Sequence, residues 1–178
     1  IDCAVESVTS RVFSGEVDFG LGPERDANSD IDATPLFELP FHAVFPPGHA
    51  LTVRETVRWA DLVDHPLITL QGQFTERLSV DLHTAMREGD LDPATTVTFM
   101  STALSMVAAG LGVTICIPYA ASLVRLYRLD MRPLVEPVVT RRFYVFSRNG
   151  RSLSPAAQSF REALFGYVAR EGAFTAPP

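Results

Sequence analysis

The sequence predicts an α/β fold with mainly parallel sheets, and two observations support this prediction. Short apolar runs, typical of strands covered on both faces, alternate with segments in which apolar residues recur at helical spacing. Strands that alternate with helices usually pair in parallel. The chain also has 178 residues, of which 47% are hydrophobic, so it can bury a sizeable core as one domain or as two small lobes.

A βαβ-type unit is predicted at the start of the chain. Ile1–Glu6 is expected to form a strand, Ser7–Gly15 a short helix, and Val17–Leu21 a second strand that ends in a glycine turn. The next segment, Asn28–Pro35, is polar and rich in turn-forming residues. A strand over Phe41–Phe45 then stops at a Pro-Pro-Gly sequence.

Helices and strands continue to alternate in the middle of the chain. Thr52 and Glu55 have the spacing of a capping box, which predicts a helical segment that includes Trp59 and Leu62. The elements after it are a buried strand over Leu67–Leu70, an amphipathic helix over Thr75–Glu88 that ends at Gly89, and a strand over Thr96–Phe99.

The run from Met100 to Leu123 predicts a helix followed by a buried strand. Ser101 and Thr102 can cap the first turn of the helix, and Val113–Ile117 is a continuous apolar strand that stops at a proline. Because hydroxyls at a helix N-terminus suit an anion, this start is either an ordinary cap or part of a binding site. The predicted apolar face of the helix comprises Leu104, Val107, Ala108 and Leu111.

Two more helices and two more strands are predicted in the last third of the chain. A helix over Ala120–Leu126 precedes a strand that begins at Leu134–Val135, and Arg142–Ser147 alternates aromatic and polar residues. Ser154 is an N-cap followed by proline at the first helical position, so a terminal helix is expected to run to about Arg170. Its apolar face comprises Ala157, Phe160, Leu164, Tyr167 and Val168.

Composition argues against several kinds of function. The formal net charge of -6 argues against a grip on a phosphate backbone, because such surfaces concentrate positive charge. All 15 basic residues are arginine. This excludes functions that need a lysine, such as Schiff-base catalysis, anchoring of pyridoxal phosphate and phosphate binding by a P-loop. The guanidinium groups that remain recognise carboxylates through paired hydrogen bonds.

Metal, cofactor and catalytic sites are not predicted either. The four histidines, at positions 42, 49, 65 and 83, lack the close spacing of metal ligands, and His49 is expected to be a solvated turn residue. The chain has no nucleophile-elbow motif, and neither of its Gly-Leu-Gly sequences has a dinucleotide fingerprint. Each glycine pair fits equally well a close approach of backbone to a ligand and a tight turn. We therefore predict no enzyme activity and no cofactor.

The two cysteines and the apolar runs bear on cellular location. Cys3 and Cys116 lie in apolar, strand-like segments, and we expect two buried reduced thiols rather than a disulfide. Every apolar run is shorter than the roughly 20 residues of a membrane span, and the first residues lack the features of a signal peptide. These features favour a location in the cytoplasm and no contact with a membrane.

Polar residues recur where predicted strands end and helices begin. Gln71, Gln73 and Thr75 lie between a buried strand and a helix, which repeats the chemistry of Ser101 and Thr102. Two polar helix starts that face one crevice suit a carboxylate, although each start alone is more often just a cap.

Five segments, spread in order over nearly the whole chain, together resemble one known family. They are GEVDFGLG (15–22), ELPFHAVFPPGHALT (38–52), WADLVDHPLITL (59–70), STALSMVAAGLGVTICIP (101–118) and SLSPAAQSFREALF (152–165). This succession resembles the effector-binding domain of LysR-type transcriptional regulators. The resemblance implies a two-lobed, periplasmic-binding-protein-like (type 2) fold with two interlobe crossovers and an effector between the lobes.

The resemblance also implies a division of the chain and a set of effector contacts. Lobe I is expected to comprise Ile1–Pro66 and Arg142–Arg170, lobe II Leu67–Arg141, and residues 171–178 a C-terminal tail. The implied contacts are Leu21, Gly22, Gln71, Gln73, Ser101, Thr102, Ile117 and Pro118, to which the polar helix start adds Thr75. Such domains bind a small organic effector, assemble as homodimers or homotetramers, and transmit effector binding to DNA-binding domains as a population shift.

The sequence departs from the family pattern in two ways. The winged helix-turn-helix of the family is absent, so contact with DNA is expected only through an N-terminal domain that this chain lacks. The family domain also begins one strand and one helix before Ile1, and an empty slot there would expose unpaired backbone. We therefore expect a longer polypeptide, or another segment in that slot. The alternatives are an extracytoplasmic solute-binding receptor of the same fold and an enzyme on the same scaffold.

Overall fold

The computed structural model describes residues 1, 3–26, 28–85 and 93–171, and these form two compact units. Unit 1 comprises residues 1–39 and 141–171 of this part of the chain, and unit 2 comprises residues 40–140. Each unit combines helices with a sheet, which confirms the predicted α/β class. The predicted helix end at Gly89 lies outside the described residues.

Unit 1 is built on a three-stranded sheet. Its strands are β1 (Phe19–Pro23), β2 (Ile31–Pro40) and β9 (Thr140–Arg148), and its helices are α1 (Val8–Ser14) and α5 (Pro155–Glu171). The strand order is β1-β9-β2, and β1 runs antiparallel to β9. Helix α1 ends at Gly15, whose φ of 77° lies in the left-handed region that favours glycine.

Helix α1 packs closely on the sheet of unit 1. Val8 and Val12 are buried and form a cluster with Ile31 and Phe146. A Cβ atom at Gly20 would come within 2.5 Å of Cγ1 of Val8, so only glycine permits this approach of helix to strand. Gly20, the first glycine of the Gly-Leu-Gly sequence, thus serves packing in unit 1.

Helix α5 begins as the sequence predicts but buries less of its apolar face. The amide of Ala157 donates to Oγ of Ser154 at 3.3 Å, which confirms the predicted N-cap. Ala157 is buried, whereas Phe160 is 61% exposed and Tyr167 46% exposed. The ring of Phe160 stacks on Phe19 with centroids 5.9 Å apart.

Unit 2 is built on a six-stranded sheet in the order β4-β8-β3-β7-β5-β6. Pairs β5·β6, β5·β7 and β4·β8 are parallel, and β3 runs antiparallel to β7 and β8. The elements are β3 (His42–Phe45), β4 (Val57–Arg58), β5 (Leu67–Leu70), α2 (Gln73–Ala85), β6 (Thr95–Val97), α3 (Met100–Ala108), β7 (Val113–Cys116), α4 (Ala121–Leu126) and β8 (Asp130–Val135).

The main core of unit 2 lies between α3 and the sheet. Ala103, Leu104 and Val107 are fully buried there, against residues of β3, β5 and β7. The predicted apolar face is wrong for Ala108, which is exposed, and for Leu111, which is 57% exposed. The helix ends at Ala108, so Leu111 follows a turn and no longer lies at helical spacing from the buried residues.

Three local predictions differ from the structure. The described residues of the expected strand Ile1–Glu6 are not in a strand: residues 1, 3 and 4 are irregular and a 3-10 turn covers Val5–Ser7, because no described strand pairs with them. The segment Asn28–Pro35 becomes the strand β2 from Ile31 onward. The expected capping box of Thr52 and Glu55 gives way to two 3-10 turns, Ala50–Val53 and Trp59–Leu62, on either side of β4.

The predicted boundary between lobes at Pro66 also differs from the structure, which divides the chain between Leu39 and Pro40. Strand β3 lies inside the six-stranded sheet, where His42 pairs with Cys116 on one side and with Pro133 on the other. Pairing on both edges of β3, together with the pairing of β4 with β8, therefore assigns this part of the chain to unit 2.

Both cysteines are free, as predicted, but the predicted burial is confirmed for Cys116 and wrong for Cys3. Cys116 is buried, and burial raises the pKa of its thiol to about 12, whereas Cys3 is half-buried. A thiol with so high a pKa carries almost no reactive thiolate at neutral pH.

Candidate ligand site at the strand ends of unit 2

Three parallel strands of unit 2 end at the same edge of the sheet. Leu70 of β5 pairs with Val97 of β6, and Leu67 of β5 pairs with Val113 of β7. The register therefore places the residues that follow β5, β6 and β7 side by side. These residues are Gln71, Thr98 and Ile117. Open α/β sheets bind ligands at the carboxyl ends of their strands, which makes this edge the candidate site.

Gln71 and Thr98 are joined directly at this edge. The main-chain amide of Gln71 donates to the carbonyl of Val97 at 2.9 Å, and the side-chain Nε2 of Gln71 donates to Oγ1 of Thr98 at 2.9 Å. Both side chains are exposed. Sequence reasoning named Gln71 but missed Thr98, although a hydroxyl directly after a strand parallel to β5 was a usable signal.

Helix α3 starts beside Thr98, but not with the predicted caps. Phe99 is the N-cap residue, and its carbonyl accepts from the amides of Thr102 and Ala103 at 3.1 and 3.2 Å. Ser101 and Thr102 lie inside the first turn with exposed side chains, so the prediction that they cap it is wrong. The helix supplies no acceptor for the amides of Met100 and Ser101, which carry the positive end of its dipole.

At the start of α2, two main-chain amides and a threonine hydroxyl already have hydrogen-bond acceptors. The carbonyl of Gly72 accepts from the amides of Thr75 and Glu76 at 3.1 and 3.2 Å. The hydroxyl of Thr75 donates to the carbonyl of Leu70, so this side chain ties the helix to the end of β5. Gln73 is the first residue of α2, and its side chain lies outside the described part of the structure.

The residues after β7 are two buried residues and a partly exposed tyrosine. Ile117 is 1% exposed and Pro118 is buried, so their side chains belong to the core and only their main chain reaches the edge. Tyr119 is 46% exposed. Burial of part of its ring, with a smaller contribution from Cys116, raises the pKa of its hydroxyl, which therefore stays protonated at neutral pH.

Leu21 and Gly22, the remaining predicted contacts, lie on β1 of unit 1. Leu21 is 44% exposed and Gly22 is buried, and the two pair with Val145 and Tyr144 of β9. Their role in ligand binding stays a prediction.

The named side chains at the strand-end edge are neutral. Gln71, Thr98, Ser101, Thr102 and Tyr119 carry hydroxyl or amide groups and no charge. Neutral donors beside the positive end of a helix dipole suit an anion of low charge density, such as a carboxylate. We call the edge formed by these five side chains the strand-end site.

Two histidines meet in unit 2 away from the strand-end site. The rings of His49 and His65 are 4.5 Å apart between centroids, which their spacing in the sequence did not reveal. His49 is half-buried rather than solvated, and its Nδ1 accepts from the amide of Leu51 at 3.3 Å. Within the described residues, no three His, Cys, Asp or Glu side chains are grouped to hold a metal ion.

Among the residues that the structure describes, none of the helices has both the length and the apolar character of a membrane-spanning segment.

Comparison with known proteins gives consistent matches. The family model of the LysR substrate binding domain matches residues 4–168. The uncharacterized HTH-type transcriptional regulator YbhD of Escherichia coli K12 is 34% identical over 155 residues, which are 84% of this chain and 47% of the relative. This chain spans about half the length of the curated relatives that it matches.

Solved structures show the same fold. The effector binding domain of BenM with its effector benzoate superposes with a TM-score of 0.80 at 22% identity, covering 100% of this chain and 81% of that one. The effector binding domain of QuiR in complex with shikimate gives a TM-score of 0.77 at 19% identity, covering 94% of this chain and 79% of that one.

Proposed function

Because the chain belongs to the family of LysR substrate-binding domains, we propose that it is the effector-sensing module of a transcriptional regulator. The curated relatives it matches are named as transcriptional regulators, which favours this function over an enzyme and over a solute receptor. A regulator of this kind works in the cytoplasm, where it meets DNA.

The effector in this proposal is a small organic carboxylate that binds at the strand-end site. The observation that carries the proposal is the convergence of three parallel strand ends and the N-terminus of α3 at one edge of the sheet. Benzoate and shikimate, the ligands named for BenM and QuiR, are both carboxylates.

The proposed contacts fall into two groups. Thr98, Ser101 and Thr102 present hydroxyls at the edge, while Gln71 is bonded to Thr98. The main chain at Ile117 and Pro118 forms the rim beyond β7. A carboxylate that accepts from the hydroxyls and from the first amides of α3 satisfies donors that helix geometry leaves open.

The proposal extends to assembly and to DNA. A homodimer or homotetramer would couple effector binding to an attached DNA-binding domain by a shift between two conformational states. This chain would contribute effector recognition, and the DNA contact would come from a separate domain.

A thermal-shift experiment tests the proposal. The chain is heated with benzoate, with shikimate and with benzamide, a neutral match for benzoate. We expect at least one carboxylate to raise the melting temperature in a concentration-dependent way, because a ligand that binds only the folded state stabilises it by mass action. Absence of any shift with both carboxylates at millimolar concentration, or an equal shift with benzamide, would contradict the proposal.

The variant Thr102→Val locates the binding. Valine keeps the shape of threonine but removes its hydroxyl donor. The variant should therefore show a smaller ligand-induced shift than the unmodified chain. An unchanged shift would remove Thr102 from the site.

A further inference from the structure

We propose that Gln71 is a positioning residue that makes Thr98 a hydrogen-bond donor to the ligand. The inference rests on the function proposed above and specifies the chemistry that the strand-end site selects. Two hydrogen bonds of Gln71 join the end of β5 to the end of β6. Its main-chain amide donates to the carbonyl of Val97, and its side-chain Nε2 donates to Oγ1 of Thr98. Gln71 is thus held by the neighbouring strand on both its main chain and its side chain.

The direction of the side-chain bond decides what Thr98 can offer. The Nε2 group of Gln71 has hydrogens and no lone pair to accept with, so Oγ1 of Thr98 is the acceptor in this bond. A threonine hydroxyl has a single hydrogen, which this bond does not use. That hydrogen is therefore free to be donated to a ligand at the strand-end site.

This arrangement favours a ligand that accepts hydrogen bonds. Carboxylate oxygens accept only, and each can take a bond from Thr98 together with bonds from the amides at the start of α3. An ammonium ligand finds one remaining lone pair on Oγ1 of Thr98 but meets the positive end of the α3 dipole, so the site favours a carboxylate over it. Gln71 sets this preference through Thr98, without touching the ligand.

A double-mutant cycle separates positioning from direct contact. Gln71→Met, Thr98→Val and the double variant are titrated with benzoate and with shikimate by calorimetry, after circular dichroism has confirmed that each is folded. We expect each single variant to weaken carboxylate binding by about three- to tenfold. The double variant should bind no more weakly than Thr98→Val, and Thr98→Ser, which keeps the hydroxyl, should bind like the unmodified chain.

Other outcomes of the cycle contradict the inference. A further loss of threefold or more when Gln71→Met is added to Thr98→Val would show that Gln71 contacts the ligand itself. Carboxylate binding that is unchanged in Gln71→Met would show that Gln71 has no part in recognition, while the proposed function would still stand. If neither carboxylate binds the unmodified chain, the proposed function and the inference both fail.

The variant Gln71→Glu tests the direction of the bond. A carboxylate at this position accepts a hydrogen bond from the hydroxyl of Thr98, so that hydroxyl no longer donates to the ligand. Benzoate binding should fall further than in Gln71→Met, and benzylammonium should gain affinity. When Gln71→Glu is added to Thr98→Val, only the added negative charge acts, so the loss of benzoate affinity should be smaller than when Thr98 is present. An equal loss of benzoate affinity with and without Thr98 would overturn the inference.

Discussion

Two threonines on neighbouring strands of unit 2 have opposite hydrogen-bonding states. Thr69 of β5 is 2% exposed, and its Oγ1 has no hydrogen-bond partner among the described residues. Thr114 of β7 is fully buried, and its Oγ1 donates to the carbonyl of Ile68 at 2.7 Å. The variants Thr69→Val and Thr114→Val remove a hydroxyl from each site while keeping shape and β-branching.

The two substitutions should change stability in opposite directions. Thr69 lines a small cavity between the sheet and α2 with Leu67, Leu78 and Ile115, so valine replaces an unsatisfied hydroxyl with a methyl group that suits these neighbours. A buried polar group without a partner costs about 1–3 kcal/mol, and its removal should raise the free energy of unfolding by about 1 kcal/mol. Thr114→Val loses a buried hydrogen bond and should lower that free energy by about 1–2 kcal/mol.

Urea denaturation followed by circular dichroism measures both free energies of unfolding. For a chain of this size, each 1 kcal/mol corresponds to about 2–4 °C in melting temperature, so a thermal scan should rank Thr69→Val above the unmodified chain and Thr114→Val below it. Equal destabilisation by both substitutions would refute the reasoning, because it would mean that the hydroxyl of Thr69 is as well satisfied as that of Thr114.

Three further predictions concern glycine, histidine and cysteine. Gly112 has a φ of 153° and an added Cβ would overlap a backbone carbonyl oxygen, whereas Gly110 has a φ of 75° and open space around it. Gly112→Ala should therefore lower the melting temperature much more than Gly110→Ala, and similar losses would contradict the steric argument. Burial, and then repulsion from a neighbouring imidazole, lowers the pKa of His49 below 6.5. As the pH falls, the imidazole of His49 is therefore protonated in the unfolded chain before it is protonated in the folded chain. The free energy of unfolding should then fall as the pH drops below about 6.5, and it should fall less steeply in His49→Asn. Urea denaturation at several pH values between about pH 8 and pH 5 measures both slopes. Because the pKa of Cys116 is about 12, a thiol reagent at neutral pH should label Cys3 in the folded chain and Cys116 only after denaturation; equal labelling rates would show that Cys116 is accessible.

Elements whose signals are local were predictable from the sequence. The buried strands β5 and β7 correspond to continuous apolar runs at Leu67–Leu70 and Val113–Ile117, because a strand covered on both faces has no polar side to show. Helix α5 starts at a serine cap followed by proline, which is a signal confined to neighbouring residues.

Elements that depend on remote partners were not predictable in the same way. Strand β2 buries only Ile31 and Leu39, and its first residues, IDATP, resemble a turn region until the strand is placed in the sheet of unit 1. The boundary between the units was misplaced because β3 belongs to unit 2 through its pairing with residues about 70 to 90 positions away.

The candidate site was likewise only partly predictable from the sequence. The hydroxyls of Ser101 and Thr102 could be recognised at a helix start, but the cap is Phe99, whose main-chain carbonyl leaves no signature in its side chain. Ile117 and Pro118 follow β7 and both side chains are buried, so their role as contacts stays a prediction that involves their main chain. Thr98 emerged only because the parallel register of β5 and β6 places it beside Gln71.

The sequence by itself determined the α/β class, most helices and buried strands, and a polar character at the points where strands meet helices. These follow from periodicity, caps and glycines, which act over a few residues. Only the tertiary structure decided which strand ends share an edge, which threonine hydroxyl is satisfied and which two histidines touch. The physical reason is that pairing register and burial depend on contacts between residues far apart in the chain, and side-chain chemistry at a single position does not encode its distant partner.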